Sequence, residues 1–375
     1  MRPLIFFLVI FLYVPVLIAQ PAADVARTSN AELISSGSHH SLFIRNGELY
    51  GMGENLYGQL GVAGIVEALA PVKVSAANNF VSISTINYTT LALRQDGSLW
   101  ASGYNNYGEV GIGNRKHQSG LARVGKDTNW VSIAGGETFC LAIKRNGTLW
   151  GWGKNTGYQL GIPIPPDISL VPIQLGKENN WKMASAGFNY TLAVKKDGTL
   201  WAWGYNAWGM LGTGDNITKT APTQIGTDTN WEVAVASQAH SFAVKKDGTL
   251  WGWGANQNGQ LGIGTLIKQL SPVQVGKEKW KAVSCGQHHT LGIKQDGTLW
   301  SWGSNNNGGL GLGSTGNKAT PQQIGRENNW VAVSAGFTHS MALKANGSIY
   351  TWGSNSHGEL GNGNKTYYSI PVEIK

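Results

Sequence analysis

The sequence lacks several features that would fix its class at once. It has two cysteines in 375 residues, too few for a disulfide framework. No stretch shows the apolar spacing of an amphipathic helix, and no apolar run after residue 18 is long enough to cross a bilayer. Zinc-ligand spacing, a nucleophile elbow, a phosphate-binding loop and a paired-carboxylate motif are also missing. The sequence therefore predicts no metal, no cofactor and no catalytic residue.

The long apolar run lies at the N-terminus. Leu4 to Ile18 follows Arg2 and precedes Ala19-Gln20, which is the pattern of a signal peptide cleaved after Ala19. The run is short for a membrane span, although a retained anchor stays open as the alternative. We predict a signal peptide at 1–19, a short segment at 20–29, and a mature protein without a membrane span that is secreted, periplasmic or on the cell surface.

Glycine and tryptophan, in contrast, are abundant, with 52 and 16 residues. A Trp-Gly-x-Asn motif returns about every fifty residues, a period typical of solenoids and propellers. Its glycines mark seven units: Gly53, Gly103, Gly153, Gly204, Gly254, Gly303 and Gly353. The tryptophans fall on three repeating positions, which predicts packing of blade against blade, and only Trp208 lies off this grid.

Each unit carries the same strand signals. Two apolar stretches are followed by an Asp-Gly or Asn-Gly turn, a third stretch, a Gly-x-Leu-Gly loop and a short run opened by proline. The turn dipeptide predicts a hairpin whose two central residues have positive φ, and the proline suits an edge strand. Over residues 30–375 this predicts an all-β, seven-bladed β-propeller of four-stranded antiparallel blades. Cys140 and Cys285 fall in units three and six, which are not neighbours in such a ring, so two free thiols are predicted.

The repeat resembles that of the regulator of chromosome condensation family. The resemblance rests on Gly-x-x-His-Ser/Thr-x-Ala-Leu/Val, then Asp-Gly-Thr-Leu-Trp-x-Trp-Gly-x-Asn and Gly-x-Leu-Gly, and covers nearly all of residues 30–375. It implies a seven-bladed propeller, often closed in that family by strands from both chain ends within one blade; the seven complete units leave both kinds of closure open. The founding nuclear member exchanges nucleotide on a small GTPase and docks on chromatin, which does not suit an exported chain. Secreted propellers of this fold inhibit β-lactamases through loops of one face.

The two faces of such a ring can be distinguished from strand order. Asp-Gly turns and the links between units emerge on one face, the turn face, while the loops between strands one and two and between strands three and four emerge on the other, the loop face. The turn face mixes basic and acidic residues, and the chain has a formal charge of +8. Because aromatic interleaving is missing there, we predict solvated mixed charge and no nucleic-acid partner.

Aromatic residues on the loop face do not follow the repeat. After the marker glycine and in the next loop, units one to four contain Tyr57, Tyr104, Tyr107, Tyr158, Tyr205 and Trp208, whereas units five to seven have Ala255, Gln257, Asn258, Ser304, Asn306, Asn307, Ser354, Ser356 and His357. The loops between strands one and two add Tyr88, Phe188 and Phe337. Packing residues would recur with the period, so these rings predict a recognition surface, since Tyr and Trp give large contact area at low entropic cost. The predicted partner-binding residues are Tyr104, Tyr107, Tyr158, Tyr205 and Trp208.

The favoured function is an exported, monomeric binding scaffold for a protein or peptide partner. A lectin-like propeller that stacks sugar rings on the same side chains is the alternative, and an enzyme with an active site on the loop face comes third. His40, His240, His289 and His339 recur at one strand position. That recurrence is typical of core or turn histidines rather than of a metal site.

Overall fold

The computed structural model describes residues 33–163 and 166–375. The predicted signal peptide at 1–19 and the segment at 20–29 lie outside the described residues. The described chain consists mainly of antiparallel strands, with a 3-10 turn at Asn306–Gly308. It contains no helix that is long and apolar enough to cross a membrane.

The strands form seven blades in which strand order follows the chain. Blades 1 to 4 contain β1 Ile34–Ser36, β2 His40–Arg45, β3 Glu48–Glu54, β4 Glu67–Lys73; β5 Phe80–Ile86, β6 Thr89–Arg94, β7 Leu99–Gly103, β8 Gln118–Arg123; β9 Trp130–Gly135, β10 Phe139–Lys144, β11 Leu149–Lys154, β12 Ile168–Gln174; and β13 Trp181–Ala186, β14 Tyr190–Lys195, β15 Leu200–Gly204, β16 Lys219–Gln224. Blades 5 to 7 contain β17 Trp231–Ala236, β18 His240–Lys245, β19 Thr249–Gly254, β20 Gln269–Cys285; β21 His289–Lys294, β22 Leu299–Gly303, β23 Lys318–Gln323; and β24 Trp330–Ala335, β25 His339–Lys344, β26 Ile349–Gly353, β27 Tyr368–Ile374.

Strand β20 belongs to two blades. Its first part pairs with β19, with Gln274 opposite Trp251, and its second part pairs with β21, with Trp280 opposite Lys294. Blades 5 and 6 therefore share one continuous seven-stranded sheet, while each other blade is a separate four-stranded sheet. The predicted seven-bladed propeller is confirmed.

The hairpin turns form where predicted but have a different geometry. Of their Asp and Asn residues, only Asn46 has positive φ, whereas the glycine has positive φ in every copy, so the expectation that both central residues are left-handed is correct in blade 1 and wrong in the other six blades. In blade 3, Gly147 N donates to Lys144 O at 2.8 Å, which is a turn followed by a left-handed glycine. The side chain of Asn146 accepts from Thr148 N and Oγ1, and Thr148 Oγ1 in turn accepts from Trp150 Nε1 at 2.9 Å. Asp and Asn are therefore used as side-chain acceptors within the turn.

The two faces separate as strand order predicts. On the turn face, the hairpin glycines of blades 1 to 6 each bond to the start of the next blade, as where Trp130 N donates to Gly97 O. On the loop face, the two loops of one blade bond to each other, as where Tyr104 N donates to Tyr88 O at 2.9 Å.

A hydrogen-bonded seam joins neighbouring blades through the second strands. His289 Nε2 lies 3.0 Å from Ser340 Oγ of the next blade, and Ser340 Oγ donates to Gly309 O of blade 6. The predicted assignment of these histidines to the core is correct, since all four are buried; their Nε2 atoms face a Ser or Thr hydroxyl of the next blade. Tyr190 takes the same place in blade 4, where its hydroxyl lies 2.9 Å from Ser241 Oγ.

The ring closes between whole blades. All four strands of blade 1 come from the first described segment and all four of blade 7 from the last. The closing seam repeats the internal ones: Ser41 Oγ lies 2.8 Å from His339 Nε2 and Ser36 N donates to Ser334 Oγ at 2.9 Å. An ion pair between Lys365 and Glu67 adds to it at 2.7 Å. The described strands therefore show no exchange between the two chain ends.

Both cysteines are free in the structure. Cys140 is fully buried, with its Sγ 3.3 Å from Glu109 O, and Cys285 is partly buried at the central channel. We expect denaturing alkylation without reductant to label both thiols. A disulfide-linked peptide pair containing Cys140 and Cys285 in mass spectra of freshly purified protein would contradict the blade assignment.

Candidate functional site

The loops between strands three and four are built on a buried asparagine, the last residue of the Trp-Gly-x-Asn motif. In blade 2, Asn105 Oδ1 accepts from Val110 N at 2.9 Å, and its Nδ2 donates to Asn114 O and Lys116 O. The equivalent asparagine of each other blade accepts from the backbone five residues on: Asn55, Asn155, Asn206, Asn256, Asn305 and Asn355. These internal bonds hold the loop-face side chains on a fixed frame.

Six rings on blades 7, 1 and 2 form a continuous cluster, which we call the ring cluster. Tyr57 is at its centre, with ring centroids 5.3 Å from Tyr88, 5.1 Å from Tyr104 and 5.0 Å from His117. Tyr88 leads on to His39 at 6.2 Å, and His39 to His357 at 4.8 Å. Sequence reasoning noticed Tyr57, Tyr88 and His357 separately but did not bring them together, because their contacts cross the blade boundaries and the ring closure.

The structure does not bring the five predicted anchors into one cluster. Tyr104 belongs to the ring cluster, and Tyr107 lies beneath the ammonium of Lys154, which is 5.0 Å from its ring centroid. Tyr158 is half-buried and has a positive φ of 59°. Tyr205 and Trp208 are 42% and 44% exposed, and neither makes a ring contact within the described chain. The anchors thus occupy one face over blades 2 to 4, in three different environments.

Carboxylates lie beside these rings. Burial raises the pKa of Glu109 to about 7, against the opposing backbone hydrogen bonds and the charge of Lys154. Burial likewise raises the pKa of Glu137 to about 7, again opposed by Lys154. Glu54 and Glu359 are buried, and one carboxylate oxygen of each has no hydrogen-bond partner within the described residues. Glu54, Glu109 and Glu359 are buried, so Glu137, which is half-buried, is the carboxylate that this part of the loop face can present beside the aromatic rings.

The lysines of the turn face have a structural explanation. Lys144 Nζ lies 3.6 Å from the ring centroid of Trp150 and 4.7 Å from that of Trp130, and it pairs with Asp127 at 2.8 Å. The same arrangement of a lysine, two aromatic rings and an acidic residue recurs at Lys195, Lys245, Lys294 and Lys344. Lys144, Lys195 and Lys344 are buried, so the prediction of solvated charge is wrong for them. Their side chains lie in slots between the first and third strands.

Among the described residues, no group of three or more His, Cys, Asp or Glu side chains has the arrangement of a metal site. The recurring histidines lie one to a blade in the consecutive blades 5, 6, 7 and 1, and each faces a hydroxyl of the next blade at a seam.

The family model for the regulator of chromosome condensation (RCC1) repeat matches residues 46–93, 146–194, 197–244, 247–293, 296–343 and 346–375. This chain belongs to the RCC1 repeat family. A second RCC1 model matches 130–159, 184–207, 280–308 and 330–359. The first model leaves out 94–145, the stretch in which Ser102 replaces the tryptophan before the marker glycine. No curated protein matches the chain in sequence.

Solved RCC1-like structures share the fold at low identity. Human WBSCR16 is 21% identical, with 88% of this chain and 94% of that chain covered and a TM-score of 0.79. Yeast RCC1 (Prp20), solved bound to Kap60, is 22% identical, with coverages of 93% and 86% and a TM-score of 0.78. Prp20p from Saccharomyces cerevisiae, described together with its binding to Gsp1p and histones, is 21% identical, with coverages of 94% and 90% and a TM-score of 0.79. These likenesses support the RCC1 propeller fold.

Proposed function

We propose that this RCC1-repeat propeller is an exported binding scaffold that engages a protein or peptide partner through its loop face. The observation that carries the proposal is the pair Tyr205 and Trp208, two large rings that are more than two-fifths exposed on loops with internally bonded frames. A rigid frame lowers the entropic cost of binding, and exposed aromatic rings are the usual energetic centres of protein interfaces. Complexes of yeast Prp20 with proteins are consistent with a protein partner for this fold.

Export is part of the proposal and rests on residues 1–19. Its direct test is N-terminal sequencing of the protein recovered from the native source outside the cytoplasm. A mature chain that begins at Gln20 supports a cleaved signal peptide; a chain that retains Met1 and partitions into membranes supports an anchor.

The binding face is tested by comparing captures with wild-type protein and with a variant carrying Ala at Tyr104, Tyr107, Tyr158, Tyr205 and Trp208. We expect that proteins which the wild type captures from culture fluid or envelope extract will not be captured by this variant. With a captured protein purified, each true anchor truncated singly should weaken binding by about 2 kcal/mol, roughly thirtyfold in Kd. Undiminished affinity after removal of all five rings would contradict the proposal.

A glycan-binding propeller is the second candidate. The exposure of Tyr205 and Trp208, without ring contacts inside the described chain, also suits stacking against a sugar ring. A glycan array distinguishes the two: saturable binding to a glycan, lost in Trp208→Ala, together with no protein captured through the same face, selects the lectin-like function.

A further inference from the structure

The central channel opens toward the loops that follow the first strands. A cavity of about 190 Å³ is lined by the innermost strands of all seven blades. All seven loops between strands one and two contribute to this lining, blade 1 through Gly37 and the others through Asn87, Glu137, Phe188, Gln238, Gln287 and Phe337. Glu137 is the acidic residue of the lining, and Lys281, on the first strand of blade 6, is its basic residue.

The carboxylate of Glu137 has no hydrogen bond or ion pair within the described residues, although its backbone is held in place. Glu137 N donates to Gly187 O at 3.3 Å, and Asn87 Nδ2 donates to Glu137 O at 3.5 Å. The side chain is half-buried, and this desolvation is what raises its pKa to about 7. An unpaired carboxylate that is partly withdrawn from water, at a cavity on a binding face, is a candidate for receiving a positive charge.

Its surroundings favour a cation over an anion. Burial is the main cause that raises the pKa of Tyr88, and the negative charges of Glu54, Tyr57 and Glu137 raise it further. Glu137 therefore lies within electrostatic reach of the ring cluster. The buried Glu54, Glu109 and Glu359 each keep a carboxylate oxygen without a partner. Lys154 is the cation whose charge acts on Glu137, and it lies over the ring of Tyr107. Aromatic faces next to carboxylates are the chemistry that binds ammonium and guanidinium groups.

We propose that Glu137 and the neighbouring Tyr57–Tyr88 pair receive a lysine or arginine side chain from a basic segment of the partner, at the mouth of the central channel. This deepens the proposed function and rests on it, because it assigns to the loop face a partner with local positive charge. Charge complementarity to this part of the face sets the preference, even though the whole chain carries a formal charge of +8.

The test begins with a random dodecapeptide library displayed on phage and selected against the full chain. Enriched peptides are synthesised, and their Kd is measured for wild type, Glu137→Gln, Tyr104→Ala, Trp208→Ala and Glu178→Gln. Glu178 is the matched control because it lies on the turn face, paired with Lys195, and its replacement changes the net charge equally. We expect the peptides to contain Lys or Arg, and Glu137→Gln to raise Kd at least tenfold while Glu178→Gln changes it less than twofold.

Replacement of the critical peptide lysine or arginine by glutamine should cost as much as Glu137→Gln, and the two changes together should cost little more than either alone. Peptides that bind through Tyr104 or Trp208 but are indifferent to Glu137→Gln would overturn this inference and leave the proposed function standing. If no selected peptide depends on any loop-face residue, both are overturned. If Glu137→Gln and Glu178→Gln weaken peptide binding equally, the effect comes from net charge alone, and the inference is also overturned.

Affinity should also depend on pH. Because the pKa of Glu137 is raised to about 7, its carboxylate is mostly neutral at pH 6 and mostly charged at pH 8, so the basic peptide should bind about five- to tenfold more tightly at pH 8. Lys154 and Tyr88 are the charged and titratable groups that act on Glu137, and Glu109 titrates in the same range. The Glu137→Gln variant therefore decides the assignment: it should lose most of this dependence, and a profile as steep as wild type would overturn it.

Discussion

Replacing Trp203 with alanine is expected to destabilise the protein by about 3–5 kcal/mol, the usual cost of emptying a large aromatic site. Trp203 is fully buried, and its Nε1 donates to Gln159 O of the preceding blade at 2.9 Å. Its ring also meets that of Trp181 edge-on, with centroids 5.7 Å apart. The truncation therefore removes buried apolar contact surface and deprives the carbonyl oxygen of Gln159 of one hydrogen-bond donor. Equilibrium urea unfolding at neutral pH measures the loss.

Trp208→Ala is the matched control, five residues along the same blade. Because Trp208 is 44% exposed and makes no ring contact within the described chain, we expect its unfolding midpoint to equal that of wild type. If Trp208→Ala lowers the midpoint as much as Trp203→Ala, the ring is a packing residue and the proposed binding face loses its main anchor.

The fold could be predicted from the sequence because each blade repeats the same local solutions. The tryptophan before the marker glycine recurs in five units, and Trp152, Trp203, Trp253, Trp302 and Trp352 are all fully buried. Spacing alone therefore distinguished this grid from Trp208. Strand order within a blade then placed the turns and loops on opposite faces, without any knowledge of side-chain packing.

Other features depend on contacts between distant residues and were out of reach. The ring cluster joins His357 to His39 across the closure of the ring, a separation that no local pattern encodes. The turn geometry was mispredicted in blades 2 to 7 because Asp and Asn were interpreted through their tolerance of positive φ, whereas Asp197 accepts hydrogen bonds from Thr199 N and Oγ1. Lys195 looked solvated in sequence because the slot between Trp181 and Trp201 is assembled from two different strands.

Acid is expected to destabilise the propeller through its seam histidines. Burial is the main cause that lowers the pKa of His40, His240 and His339 to about 3 and that of His289 to about 4. Below pH 6.5 the unfolded chain protonates these histidines while the folded chain does not, so the free energy of unfolding falls as the pH falls. Each histidine contributes about 1.4 kcal/mol per pH unit until its folded pKa is reached.

Blade 4 provides the variant that isolates this effect. At this seam the hydroxyl of Tyr190 faces Ser241, just as His289 faces Ser340 and His339 faces Ser41 at theirs. The double variant His289→Tyr, His339→Tyr therefore keeps an aromatic donor at both seams. It also removes two titrating groups. Between pH 6.5 and 4.5 we expect wild type to lose on the order of 5 kcal/mol more stability than this double variant. Glu109 and Glu137, with pKa values raised to about 7, stabilise the fold as the pH falls to about 4.5, but they are present in both proteins and cancel.

The measurement is the urea-unfolding free energy at half-unit steps of pH, compared as slopes, so that any cost of the substitutions at neutral pH does not enter. If the double variant loses stability on acidification as steeply as wild type, the seam histidines do not set the acid limit. If the slopes differ as expected, the same side chains that join neighbouring blades, including the pair that closes the ring, determine the lowest pH at which the loop face is held in place.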